Sequence, residues 1–220
     1  MFGEIELEIW GDLACFTRPE LKAERVTYDV PTPSALRGIL DAIYSRPASF
    51  YWQINCIEVL RPIRHFQFVR NEVSQKAGRI SFSATDEGIR LQRSTVALRD
   101  VHYRVAASLR LREGCTVSAK ALYAQARRRI QGGKCYYQPS LGCREFVAYF
   151  SESDEKSLPI PEDRDLGLMV YDVFDIRKYS PTGSAAPSIS LYHAHMRQGV
   201  VTIPPYESAE VLKPEEGTVC

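Results

Sequence analysis

The sequence predicts an α+β protein in which two amphipathic helices alternate with strands, in the order strand, helix, strand, inserted hairpin, strand, helix, strand, with a small antiparallel β extension behind them. Three observations carry this reading. The segment ERVTYDVPTPSALRGILDAIYSRP (24–47) holds a complete helix signal, and a second one runs from 118 to 131 and stops at Gly132-Gly133. The third is strict two-residue alternation in EIELEIW (4–10) and VHYRVAASLRLR (101–112), the period of half-buried strands.

Residues 4–10 alternate Glu4, Glu6 and Glu8 with Ile5, Leu7 and Ile9, so one face is apolar and the other acidic. In the first helix Thr32 is the cap hydroxyl and Pro33 the preset first residue. Leu36, Ile39, Leu40 and Ile43 recur on one face, and Pro47 drives Arg46 out of helical geometry. Tyr44 falls beside the apolar stripe, with Arg37 two turns earlier at nearly the same angle. A phenol there is packed on its ring and wet at its oxygen.

INCIEVL (54–60) reads as a central strand closed by Pro62. Residues 63–100 read as a long inserted hairpin, with IRHFQFVRNEV and GRISFSA as its arms. The strand at 101–112 puts Val101, Tyr103, Val105, Ala107, Leu109 and Leu111 on one face and His102, Arg104, Ser108, Arg110 and Arg112 on the other, which is basic. The second helix has Ala119, Leu122, Tyr123, Ala126 and Ile130 as its stripe and Ser118 or Thr116 as its cap. A loop, KCYYQPSLGC, leads to the strand REFVAYF (144–150); the acidic stretch 151–165 reads as a linker. LGLMVYDVF and SISLYHAHMRQGVVTI supply the last strands, the latter turning at Gln198-Gly199, and the tail past Pro205 reads as loose. The order is the β-α-β-β-α-β plan of a ferredoxin-like unit over 1–150, with 151–220 as acidic linker and small β-sheet extension.

With 220 residues, 45% hydrophobic and 25% charged, the chain is that of an ordinary globular protein. The acidic, alternating N-terminus carries neither a signal peptide nor a membrane span. Six cysteines are scattered without a C-x-x-C pair, which points to reduced thiols and a cytoplasmic protein. A net charge of +1 hides an uneven distribution. Residues 99–134 hold nine Lys or Arg against two acids, whereas 151–175 hold eight acids against Lys156 and Arg164. One part is built to meet phosphate and another is not. A P-loop, a G-x-S-x-G elbow and a Cys-His pairing are all absent from the sequence.

GDLACFTRPELKAERVTYDVPTPSALRGILDAIYSRP, RPIRHFQFVRNEV, ALRDVHYRV, YYQPSLGCREF and LGLMVYDVFD, in that order along most of the chain, resemble the CRISPR-associated family five proteins of the Dvulg (type I-C) subtype. The resemblance implies a ferredoxin-like, RRM-like fold of the RAMP superfamily. It also implies a metal-independent endoribonuclease that cleaves CRISPR repeat RNA (pre-crRNA), using the RNA's own 2′-OH to leave 2′,3′-cyclic phosphate and 5′-OH ends. Such a protein then stays on the crRNA 5′ handle with the other subunits of a type I-C interference complex, away from any membrane and without a cofactor. The alternative is a non-catalytic subunit that caps the handle.

Members of that family cut with a tyrosine at the end of the first helix and a Lys-His pair before the second helix's basic run. Tyr44 matches the tyrosine, and Lys120 lies within a residue of the lysine, but Ala121 stands where the histidine follows. His102, on the basic strand face, is the substitute by geometry; water is the other source of the leaving-group proton. The bland readings are a rim tyrosine bonded to backbone and a solvated first-turn lysine. Arg127, Arg128, Arg129 and Lys134 surround a helix C-terminus, where the dipole alone welcomes cations, yet they lead into Gly132 and Gly133, whose amides are open to a phosphate. With Arg37 and Arg104 they form the candidate RNA-binding set, and Tyr136 and Tyr137 stand beside it either to stack on bases or to pack in the core. His193 and His195 share a strand face but have no carboxylate or thiol at fixed spacing, so no metal is assigned.

Overall fold

The computed structural model describes residues 3–21, 23–73, 90–154, 156–179 and 187–214. Alternation makes the first strand: in β1 (Ile5–Ala14) Ile5, Leu7 and Ile9 point into the core. The short β2 (Arg25–Val26) leads into α1 (Pro33–Ile43), where the Thr32 hydroxyl accepts from the Ala35 amide at 3.2 Å. Leu36, Ile39, Leu40 and Ile43 are all buried, and the helix ends at Tyr44, whose backbone is extended (φ −151, ψ 118). β3 (Phe50–Val59) then runs beneath it.

The inserted hairpin is β4 (His65–Val73) against the first part of β5 (Arg90–Leu111). β5 is one strand of 22 residues, so the hairpin arm and the core strand predicted at 101–112 are continuous. Asp100, at φ 54, lies where the two parts join, and the pairing with β1 keeps one register through it, from Ile5↔Ala107 to Ala14↔Leu98. The arm GRISFSA expected at 78–84 lies outside the described residues.

α2 (Ala119–Gln131) starts at Ser118, whose hydroxyl accepts from the Ala121 amide, and ends in a Schellman turn. The Lys134 amide bonds the Arg129 carbonyl (2.8 Å) and the Gly133 amide bonds that of Ile130 (3.1 Å), with Gly133 at φ 59. Only a residue without Cβ adopts that backbone freely. β6 (Tyr149–Glu152) returns along β1, so the strand expected at 144–150 begins five residues later; residues before it form a loop bridged at Ser140 and Val147.

These strands lie side by side as β6-β1-β5-β3, all neighbours antiparallel. β7 (Arg164–Asp172), β8 (Ser190–Arg197), β9 (Val200–Thr202) and β10 (Val211–Leu212) extend the same sheet, because β9 pairs with the free edge of β3. Gln198 (φ 48) and Gly199 (φ 73) make the two-residue turn between β8 and β9. The tail past Pro205 is fastened rather than loose: Tyr206 is buried against Tyr171 (5.5 Å between rings), and β10 pairs with β8. One apolar core joins α1 and α2 to the odd-numbered side of β5 from Val101 to Leu109.

The acidic stretch is not a free linker. It crosses the opposite sheet face, where Arg104 donates to the Ser157 carbonyl (2.8 Å) and the Ser153 hydroxyl (2.9 Å), and where Ile160 N–H bonds the Val59 carbonyl. Among the described residues no helix is long and apolar enough to cross a membrane.

Candidate nucleic-acid interface

The C-terminal ends of α1 and α2 meet, and what meets there is one phenol and a group of cations. Arg129 donates to the Ile43 carbonyl at the end of α1, and its guanidinium lies 4.2 Å over the Tyr136 ring. The Tyr136 amide bonds the Ala42 carbonyl at 2.7 Å. The loop after α2 is thereby stitched to the last turn of α1, with Tyr44 between them. Those α1 carbonyls have no intrahelical partner, so a guanidinium and an amide are what the helix end lacks.

Tyr44 is only 3% exposed, its ring packed on Phe50 (5.6 Å) and its carbonyl held by the Trp52 indole N–H (2.9 Å). Among the described residues the fully enclosed side-chain polar atoms without a hydrogen bond are Arg70 Nε and Nη2 and Tyr192 Oη. Tyr44 Oη is not one of them and makes no hydrogen bond among those residues, but with the whole residue 3% exposed it is nearly closed off from solvent rather than wet as the sequence predicts. Burial pushes the phenol above the ordinary tyrosine range, Tyr136 adds to this, and the nearby Arg46 and Arg129 guanidiniums pull against it.

The cations at this end lack acidic partners among the described residues. Arg46, Arg128, Arg129 and Lys134 make no ion pair among the described residues; Arg128 is held by the Gln125 amide oxygen (2.6 Å). Arg46, Arg128 and Lys134 are exposed, as are Tyr136 and Tyr137. Uncompensated charge beside exposed aromatic rings is the composition that binds single-stranded nucleic acid. Arg46 enters the sequence reading only as the helix stop. The signal for a larger role is a cation two positions past the tyrosine, held outside the helix by Pro47.

The other sequence-predicted residues lie elsewhere. Lys120 is in the first turn of α2, nine positions before Arg129, or about 13 Å along the axis. It lines a cavity of about 600 Å³ with Glu4, Glu6, Tyr123, Arg127 and Glu152. Arg127 pairs with Glu152 at 3.0 Å, so the three consecutive arginines point three ways: to this cavity, to solvent and to Tyr44's rim. Gln131 and Arg127 bond Glu152 and hold its carboxyl below the usual range.

His102 and Arg104 are on the sheet face away from the helices. His102 Nε2 is 2.9 Å from Glu8 Oε2, and buried Arg104 is shared by Glu58 (2.6 Å) and Glu8 (3.3 Å). Arg37 is clamped through Nε (2.7 Å) and Nη2 (2.9 Å) by the buried Asp172 of β7, with Asp41 at 3.2 Å. These guanidiniums have protein carboxylates where a phosphate would sit. The amides of Gly132 and Gly133 are likewise engaged, with the Arg128 and Ile130 carbonyls. Finally, the β7–β8 pairing brings Asp165 beside His193 and His195, the carboxylate that sequence spacing alone did not supply.

Comparison with known proteins gives the family. The family model described as CRISPR-associated protein (Cas_Cas5), Cas_Cas5d, matches residues 4–204. A protein of Thermus thermophilus named CRISPR pre-crRNA endoribonuclease Cas5d is 36% identical, covering 98% of this chain and 97% of its own. A protein of the same name from Mannheimia succiniciproducens is 37% identical, covering 97% of this chain and 100% of its own. Among solved structures, a CRISPR-associated protein shares the fold at TM-score 0.66 and 24% identity, over 95% of this chain and 96% of that one. A functionally uncharacterized protein of Streptococcus mutans does so at 0.65 and 23%, with the same coverage. The chain therefore belongs to the CRISPR-associated Cas5 family, in its Cas5d branch.

Proposed function

We propose that this chain is a pre-crRNA endoribonuclease that cleaves CRISPR repeat RNA without a metal, at the rim where α1 and α2 end. Two relatives that match it over nearly their whole lengths carry that activity in their names. The observation that carries the mechanism is Tyr44: a nearly buried phenol without a hydrogen-bond partner among the described residues, beside Arg46 and Arg129.

The ribose 2′-OH beside the scissile phosphate gives its proton to Tyr44 Oη in its ionised form, regenerating the phenol, as the 2′ oxygen attacks the phosphorus. The P–O5′ bond breaks, leaving a 2′,3′-cyclic phosphate and a 5′-hydroxyl. Arg46, Arg128 and Arg129 offset the charge that builds on the phosphoryl oxygens. Tyr136 and Tyr137 stack on unpaired bases, and Lys134 holds the backbone. Among the described residues no imidazole stands at this rim, so the departing 5′ oxygen takes its proton from solvent, at a rate cost of ~10²-fold against a placed acid. Lys120 approaches the RNA from the other end of α2. His102, Arg104 and Arg37 serve the architecture.

The same reading has the protein keep the crRNA 5′ handle in a cytoplasmic type I-C interference complex. The β1-α1-β3-β5-α2-β6 order with strands side by side as β6-β1-β5-β3 supports a ferredoxin-like plan of the RAMP type. The test is repeat RNA carrying a single 2′-deoxyribose at the cut, incubated with the protein in EDTA. Uncut deoxy RNA, together with cyclic-phosphate ends from the all-ribose RNA, is the expected result; cleavage of the deoxy RNA at the normal rate rules out the mechanism.

A second reading, a handle-capping subunit that does not cut, is favoured by the distance of Lys120 and His102 from Tyr44. It predicts intact repeat RNA in the same assay, bound but not shortened.

A further inference from the structure

On the far side of the sheet extension, three side chains converge that the ribonuclease reading does not use. His193 and His195 stand on the solvent face of β8, while Tyr192, Ala194 and Met196 between and beside them are buried and fix the strand. The rings lie 4.5 Å apart, with His193 Nδ1 2.8 Å from His195 Nε2. Asp165, opposite His195 in the β7–β8 ladder, puts Oδ1 3.7 Å from His193 Nδ1 and 3.5 Å from His195 Nδ1. Its Oδ1 also accepts from the Gly167 amide at 2.9 Å, which orients the carboxylate. That amide is available because the ladder slips between Asp165 and Gly167, with Gly167 at φ 68.

We propose that Asp165, His193 and His195 form a surface site for a divalent first-row transition metal of the cobalt, nickel and zinc kind, separate from the RNA-cleaving rim. A tetrahedral ion with bonds of about 2.0 Å sets its ligand atoms about 3.3 Å apart. The trio's ligand atoms all lie within 4.8 Å of one another, so side-chain torsions alone bring them onto one ion. Two imidazole nitrogens select this class over magnesium and calcium, which prefer oxygen. The Gly167 amide on Asp165 plays the orienting part that outer hydrogen bonds play in metal centres. All three residues are exposed, so at least one coordination position faces solvent and is open to water or to a ligand from a second molecule.

Cobalt(II) tests this, because its visible spectrum reports ligand type and the chain carries thiols that would otherwise confuse a zinc measurement. Full-length protein without a histidine tag, titrated with cobalt, should bind about one equivalent with d–d absorption and without the thiolate charge-transfer band. His193→Ala and His195→Ala should each weaken binding by ~100-fold or more, and Asp165→Asn by ~10-fold. All three variants should melt like the wild type in EDTA and still cut repeat RNA there. Wild-type cobalt affinity in the histidine variants, a thiolate band, or no binding at millimolar cobalt overturns the site.

Discussion

At the scale of the residue, the account rests on one nearly buried phenol beside two guanidiniums. Burial raises Tyr44 above the usual tyrosine pKa of 10.0, so at neutral pH it is protonated. A group that must accept a proton is then scarcer in its active form at lower pH. The cleavage rate therefore rises about tenfold per unit across roughly pH 6 to 9, with no plateau in that window. Single-turnover rates across those buffers check it; a plateau near neutrality would assign the base to another group. Tyr44 was legible in the sequence because its position depends on local signals: Thr32 and Pro33 fix where the helix starts, four apolar residues fix its phase, and Pro47 fixes its end. Arg37 and Arg104 were not. Their carboxylate partners are Asp172, Glu8 and Glu58, and only the pairing of distant strands reveals that those acids already occupy them. The joining of Asp165 to His193 and His195 was hidden for the same reason.

At the scale of the element, the contact between α1 and β7 depends on one buried carboxylate. Asp172 is 1% exposed and is held by Arg37 together with the amides of Val173 and Phe174. Removing the guanidinium leaves that charge in the interior. Arg37→Ala is expected to lower stability by about 3 kcal/mol, read as the urea midpoint, and Asp172→Asn added to it should restore part of the loss. If the single variant unfolds with the wild-type midpoint, the pair does not tie helix to strand. Both helices begin and end within two residues of the sequence reading, since caps, stripe and stop are adjacent in the chain. The long strand β5 and the strap over its polar face were harder to see. A strand's length is set by its partners, here β1, β3 and β4, and an acidic, proline-bearing stretch looks the same whether it floats or crosses a sheet.

At the scale of the whole molecule, the sheet separates two electrostatic environments. The helix side ends in cations without acidic partners among the described residues, whereas the opposite side carries Glu8, Glu58 and the acidic strap around Arg104. RNA is thereby directed to the ends of α1 and α2. Each phosphate contact by an exposed cation contributes about 0.7 to the slope of log affinity against log salt for a single strand. Arg128→Ala and Lys134→Ala should each reduce that slope by this amount on repeat RNA, while Arg197→Ala, on β8, should leave it unchanged. Equal slopes in all four proteins would place the RNA elsewhere. The most direct test of the central claim is single-turnover cleavage of repeat RNA in EDTA by Tyr44→Phe, with RNA affinity measured alongside. The account predicts a rate lower by ~10² or more at unchanged affinity; a rate equal to that of the wild type would contradict it.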